Sequence, residues 1–198
     1  MLLLRRPTPA ALDSFRAGQA TLGFSYPAVG ATAATPPPGY VVDRTRARLG
    51  DGERVYAAAR AALGRWEQVR LGWVEAYPAD TPLRPGEVVA VVARVLGVWW
   101  VNACRVVYIV DEAGPTSRFG FAYGTLPGHA ESGEERFLVE WDRATDAVWY
   151  DVLAFSRPRH PLARLGYPLT RRAQRRFARD SAAAMRRAVL PAGPTTGR

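Results

Sequence analysis

The chain has 198 residues, of which 48% are hydrophobic and 23% are charged, and its formal net charge is +9. These values are those of one globular domain, and they exclude a wholly disordered chain. A disulfide framework is excluded because Cys104 is the only cysteine, and no apolar run reaches the ~18 residues that a membrane span requires.

The first 38 residues are predicted to form an N-terminal arm outside the core. A short helix is expected at about Ala10–Gln19, and it is followed by Tyr26-Pro27-Ala28-Val29-Gly30 and by three consecutive prolines at 36–38. Proline fixes φ and cannot donate a backbone hydrogen bond, so this stretch favours extended chain. Because the first residues lack the charge order of a signal peptide, we expect a cytoplasmic protein.

One strand and one helix are predicted at the start of the main domain. In the strand Tyr40–Leu49, residues alternate between two faces: Val42, Arg44, Arg46 and Arg48 on one, and Val41, Asp43, Thr45, Ala47 and Leu49 on the other. The turn Gly50-Asp51-Gly52 follows, with Asp51 as the expected N-cap of a helix over Glu53–Trp66.

Six further strands are predicted with no helix between them. They are bounded by glycine and proline turns, and several alternate clearly between apolar and polar positions. Short connections favour antiparallel neighbours, because parallel pairing needs a long crossover. The six segments are Val69–Tyr77, Glu87–Leu96, Trp99–Asp111, Arg118–Leu126, Glu134–Asp142 and Val148–Ser156.

A long basic helix is predicted from Pro168 to Val189. Its apolar positions recur at helical spacing, and most of its arginines fall on the opposite side. Residues 157–198 contain 11 of the 27 arginines and only one acid, Asp180, so this segment carries the whole excess of positive charge. The predicted domain covers residues 39–190, and residues 191–198 are expected to be a disordered tail.

The order strand, helix, six strands, helix predicts an α+β fold. A curved antiparallel sheet of about seven strands needs cover on its apolar face, and one long amphipathic C-terminal helix supplies it. This is the helix-grip arrangement, in which the sheet wraps the last helix and often leaves a cavity beneath it.

The loop that precedes the fifth of these six strands contains the densest group of polar residues. His129 lies near Glu131 and Glu134, and a histidine with a carboxylate can act as acid and base. The alternative is a glycine-rich hairpin loop with solvated acids, which the spacing favours. No metal site is expected, because a second histidine would be needed nearby.

The sheet is rich in aromatic residues, which most simply form the core. A cavity lined by such residues would also suit an apolar ligand. The residues that we expect to bind it are Trp73, Arg105, Phe121, Tyr123, His129 and Trp149.

The arginine face of the last helix could attract an anionic partner through Arg171, Arg175, Arg179 and Arg186. No aromatic residue is interleaved with these arginines on that face, so a solvated outer face of a core-covering helix is the favoured interpretation. Nucleic acid is therefore not the expected partner.

Several strings of the sequence together resemble an uncharacterised bacterial and plant family, the domain of unknown function 1990, also called uncharacterised protein family 0548. The resemblance spans about residues 24–190. The strings that carry it are Tyr26–Gly30, Pro38-Gly39-Tyr40 leading into Arg48-Leu49-Gly50, Cys104–Glu112, Gly120–His129, Glu131-x-Gly133-Glu134-Glu135 and Ala154–Pro158.

This resemblance implies a single domain of the helix-grip kind, as in START and Bet v 1 proteins, and no established activity. It adds weight to His129, Glu131, Glu134, Tyr123 and Arg105, because the motifs run through them. The leading hypothesis is a small, partly apolar ligand bound between sheet and helix, without a cofactor. The alternatives are an enzyme that uses His129 with Glu131 or Glu134, and a weak binder of nucleic acid or anionic surfaces.

Overall fold

The computed structural model describes residues 1–190, apart from the side chain of Arg164, and the predicted tail at 191–198 lies outside them. Eight strands and four helices follow one another along the chain. The helices are α1 (Pro9–Ala20), α2 (Gly52–Gly64), α3 (Pro161–Leu165) and α4 (Tyr167–Val189). The strands are β1 (Leu2–Leu3), β2 (Val41–Asp51), β3 (Val74–Tyr77), β4 (Val88–Val95), β5 (Val98–Glu112), β6 (Thr116–Thr125), β7 (Glu131–Asp142) and β8 (Ala147–Pro158).

All eight strands form one antiparallel sheet. Its order is β2-β8-β7-β6-β5-β4-β3, and the short β1 pairs with β5 at Trp99 and Trp100. Every connection from β3 to β8 joins strands that are neighbours in the sheet, as the short turns predicted. The predicted α+β helix-grip fold is confirmed, since one antiparallel sheet is followed by the long helix α4, which packs on β2 and β8.

The predicted elements match the observed ones closely, with three differences. Strand β1 was not predicted, and β7 begins at Glu131, within the segment that was predicted to be a polar loop. The segment predicted as a strand over Val69–Tyr77 is a strand only from Val74, because a 3₁₀ turn occupies Glu67–Val69. Gly72 then adopts φ +76°, a left-handed conformation that interrupts extended chain.

Only the C-terminal half of α4 is packed into the core. Its buried residues are Ser181, Ala182, Ala184 and Met185, and the Ser181 hydroxyl lies 2.8 Å from that of Tyr150 on β8. The helix packs there against α2 and the 3₁₀ turn. The N-terminal half has no fully buried residue, and it contacts the sheet through Phe177, whose ring lies 6.4 Å from that of Phe137, and through hydrogen bonds of Arg171 and Gln174. No helix within residues 1–190 is both long and apolar enough to cross a membrane.

Residues 1–38 take part in the packed body. Helix α1 packs on β4 and β5 through Leu12, and Tyr26 is buried on the outer face of the sheet against Phe155. Between α1 and β2 the chain is irregular apart from a 3₁₀ turn at Ala31–Ala33. Hydrogen bonds to the sheet, rather than those of a helix or strand, hold this stretch in place. The predicted domain boundary at residue 38 remains a prediction.

A buried carboxylate on β7 anchors this N-terminal segment. Oε2 of Glu134 accepts hydrogen bonds from the Tyr26 hydroxyl at 2.6 Å and from the Gly30 amide at 2.7 Å. Its Oε1 accepts from the amide of Thr32 at 2.9 Å and from the Thr32 hydroxyl. Gly124 permits this approach, because a Cβ there would lie 2.1 Å from the Tyr26 hydroxyl oxygen.

We expect Glu134→Gln to lower the free energy of unfolding by about 3 kcal/mol, since an amide cannot accept four hydrogen bonds and leaves buried donors unsatisfied. Chemical denaturation measures this change. The exposed Glu112 provides the control, because Glu112→Gln removes one surface ion pair with Arg118 and should cost less than ~1 kcal/mol. Equal effects of the two substitutions would contradict the anchoring role.

Candidate functional site

A cavity of about 910 Å³ lies between the concave face of the sheet and the N-terminal half of α4. Helix α3 and the turn between β4 and β5 also contribute to its wall. The fully buried residues of α4 are confined to its C-terminal half, and the cavity lies mainly beneath the N-terminal half.

The side of the cavity formed by β3 and β4 is apolar. Trp73, Val74, Val91 and Ala93 line it, and Phe177 of α4 faces it. Two residues of α4 hold Trp73 in place. Its indole N–H donates to Asp180 at 3.0 Å, and the Arg176 guanidinium lies over its ring, 4.3 Å from the ring centre.

The opposite side, formed by β2, β7 and β8, has polar groups. Glu135 points into the cavity beside Tyr123, its partner across the β6–β7 ladder, and the tyrosine hydroxyl donates to it at 2.7 Å. Burial, opposed by this hydrogen bond and assisted by the negative charges of Glu131 and Asp43, raises the pKa of Glu135 to about 7.

Two other acids on this side are fully engaged by protein groups. The side-chain amide of Gln174 donates to both oxygens of Glu131, at 2.7 and 2.8 Å, and burial raises the pKa of this carboxyl. Arg171 donates to both oxygens of Asp43, at 2.5 and 2.6 Å. The predicted exposed position of Arg171 is therefore wrong, since its side chain turns towards the sheet and is only 18% exposed.

His129 lines the cavity but has neither Glu131 nor Glu134 as a side-chain partner. Its Nδ1 accepts a hydrogen bond from the backbone N–H of Glu131 at 2.9 Å, which leaves the proton on Nε2. Burial, with a smaller contribution from the positive amino terminus, lowers the pKa of His129 to about 3, so the ring is neutral at physiological pH.

Three of the six residues predicted to bind a ligand line the cavity: Trp73, Tyr123 and His129. Phe121 faces the same side of the sheet but is completely buried against Trp66 and Phe137, where α2 fills the groove. It therefore belongs to the core.

Arg105 and Trp149 point to the outer face of the sheet, because each follows an inward-facing residue on its strand. The Arg105 guanidinium donates to the carbonyl of Ala20 at 2.8 Å and lies over Phe24. Trp149 packs under the guanidinium of Arg46, 5.0 Å from the ring centre. The alternation along each strand showed which residues share a face, but it did not show which of the two faces lies on the concave side of the sheet.

The sequence prediction also omitted Glu135 from the site and included Glu134. The alternation of side chains along β7 could have corrected this choice of residue. Glu135 shares a face of the strand with Phe137, Val139 and Trp141, because it lies two positions before Phe137. Glu134 falls on the other face, where its carboxylate is occupied by the N-terminal segment. Within residues 1–190, no three His, Cys, Asp or Glu side chains are grouped so that they could hold a metal ion.

The arginines predicted to face an anionic partner mostly have protein partners. Arg179 donates to Asp180 at 3.1 Å, and Arg186 donates to the carbonyl of Arg48 at 3.1 Å. Arg171 is paired as described above, and Arg175 is exposed on α4.

Solved structures with a similar fold have little sequence in common with this chain. A hypothetical protein of Helicobacter pylori has a TM-score of 0.50 at 12% identity, covering 85% of this chain and 96% of that one. A protein of Thermus thermophilus has a TM-score of 0.50 at 16% identity, covering 76% and 97%. These similarities concern the fold alone.

Sequence relatives are much closer. A UPF0548 protein of Deinococcus radiodurans is 42% identical over 201 residues, which cover 96% of this chain and 99% of the relative. Another from Dictyostelium discoideum is 40% identical over 156 residues, covering 75% and 72%. The model of the domain of unknown function DUF1990 matches residues 25–184. The resemblance seen in the sequence is thus confirmed, and the chain belongs to the DUF1990 (UPF0548) family.

Proposed function

We propose that this domain binds one small, partly apolar molecule in the cavity between the sheet and α4. The observation that carries the proposal is the cavity itself, whose volume of about 910 Å³ is within the range of small-molecule sites. One apolar side and a few polar groups on the other side are the usual composition of such a site.

The edge of the cavity supports access for an apolar molecule. Leu96 at the β4–β5 turn, Leu162 on α3 and Leu169 on α4 all border the cavity, and they are 76%, 50% and 49% exposed. Leu96 also adopts φ +52°, which is uncommon outside glycine and asparagine. Large exposed side chains around an opening are typical of a ligand site or an interaction site.

The alternative functions have less support. An enzyme that uses His129 with Glu131 or Glu134 would need hydrogen-bond contact between these groups, whereas Gln174 and the N-terminal segment occupy the two carboxylates. Binding of nucleic acid or an anionic surface would use Arg171, Arg175, Arg179 and Arg186, and three of these four, all but the exposed Arg175, already have protein partners. A cytoplasmic location stays a prediction.

Titration with Nile red, a neutral apolar dye, tests the proposed function. We expect saturable one-to-one binding with increased emission, and Ala173→Trp should weaken it at least tenfold, because the indole would fill space under α4. Ala61→Trp on the exposed side of α2 is the control and should bind as the native protein does. Absence of saturable binding, or equal binding by both variants, would contradict the proposal.

The titration of Glu135 tests whether the cavity shields this carboxyl from water. A pKa near 7 in the folded protein means that the folded state binds this proton more strongly than the unfolded state does. The free energy of unfolding should therefore fall by about 3 kcal/mol between pH ~4.5 and ~7, relative to that of Glu135→Gln.

Denaturation of both proteins across this pH range, with NMR of the labelled carboxyl carbon, measures the effect. Glu112→Gln should follow the native curve, since Glu112 is exposed. A carboxyl midpoint near 4.5 for Glu135 would show that water reaches it freely.

A further inference from the structure

We propose that the ligand carries a basic nitrogen, and that its ammonium group pairs with the carboxylate of Glu135 while its apolar part lies against Trp73 and Phe177. This inference rests on the proposed function and adds the chemical class of the ligand.

Glu135 differs from the other acids near the cavity in having a free hydrogen-bonding position. The carboxylates of Glu131, Glu134 and Asp43 each receive donors on both oxygens. Glu135 receives only the Tyr123 hydroxyl, on Oε2, and no described side chain or backbone group donates to Oε1. Since the residue lines the cavity, that oxygen is accessible to a bound molecule.

The charges that face Glu135 also favour a cation. The titratable or charged groups around it are Tyr123 on β6, Glu131 on β7, Asp43 on β2, Cys104 on β5, Tyr150 on β8 and Arg171 on α4. Arg171 is the positive member of this group, and both of its donors to a carboxylate are directed at Asp43. Three further arginines of α4 line the cavity: Arg179 donates to Asp180, Arg186 donates to the carbonyl of Arg48, and Arg175 is exposed. Glu131 adds negative charge, so an anionic ligand group would be repelled here.

The ammonium group of a ligand would supply the positive charge and the hydrogen-bond donor that Glu135 does not receive from the protein. An ionised carboxylate in an apolar cavity is costly unless a charge and hydrogen bonds compensate it, and an ammonium provides both. Its carbon chain would then extend towards the side formed by β3 and β4, where Trp73, Val74 and Val91 offer apolar contact.

This pairing sets the pH dependence of binding. An alkylammonium stays positive below pH ~10, and it pairs with the ionised form of Glu135, whose pKa in the free protein is about 7. Affinity should therefore fall about tenfold per pH unit as the pH decreases below 7, and it should level off above 7. Binding below pH 7 should also release one proton.

Isothermal titration with n-octylamine and n-octanol tests the inference, because the two probes share a chain and differ in charge. We expect the amine to bind at least tenfold more tightly than the alcohol at pH 8. In Glu135→Gln this ratio should fall to about one, while the affinity for the alcohol is unchanged. The charge-matched control Glu112→Gln should keep the native ratio.

The outcomes separate this inference from the function on which it rests. If the alcohol and Nile red bind and the amine shows no preference, or if the preference survives Glu135→Gln, the ligand class is wrong and the cavity still binds ligands. If none of the three probes binds, the proposed function itself is overturned. Proton release by the native protein at pH 6, measured in buffers of different ionisation enthalpy and absent in Glu135→Gln, would support the pairing.

Discussion

The alternation of side chains along β7 is the constraint on which this structure depends. Glu134 and Glu135 are neighbours in sequence, yet a strand directs them to opposite faces of the sheet. On the outer face, Glu134 receives four hydrogen bonds and holds the segment from Tyr26 to Thr32. On the inner face, Glu135 has one donor and faces the cavity. A register shift of one residue would exchange the two carboxyls and destroy both arrangements.

The cavity follows from the unequal packing of α4. Its C-terminal half reaches the core through Met185 and the contact between Ser181 and Tyr150. Its N-terminal half is attached to the edge of the sheet by polar links, from Arg171 to Asp43 and from Gln174 to Glu131. Such links hold the helix above the sheet, and the small side chains of Ala173 and Ala178 leave space beneath it.

Electrostatics then distinguishes one acid from the others. Asp43, Glu131 and Glu134 receive protein donors on both oxygens, whereas Glu135 has a single tyrosine donor. Burial raises the pKa of Glu135 to about 7. A carboxyl with this pKa changes its charge near neutral pH, and a ligand cation beside it would favour the ionised form. The carboxylate that receives the fewest hydrogen bonds from the protein is therefore the one best suited to bind a ligand.

The sequence by itself determined the elements and their order. Alternation over Tyr40–Leu49 and the helical spacing after Pro168 are local patterns, and short turns made each strand from β3 to β7 the neighbour of the next. Only the tertiary structure decided which face is concave, which placed Arg105 and Trp149 outside and Glu135 inside. It also decided that residues 1–38 pack on the sheet. That contact joins Tyr26 to Glu134 across 108 positions, and no local periodicity records a pairing between residues so far apart in the chain.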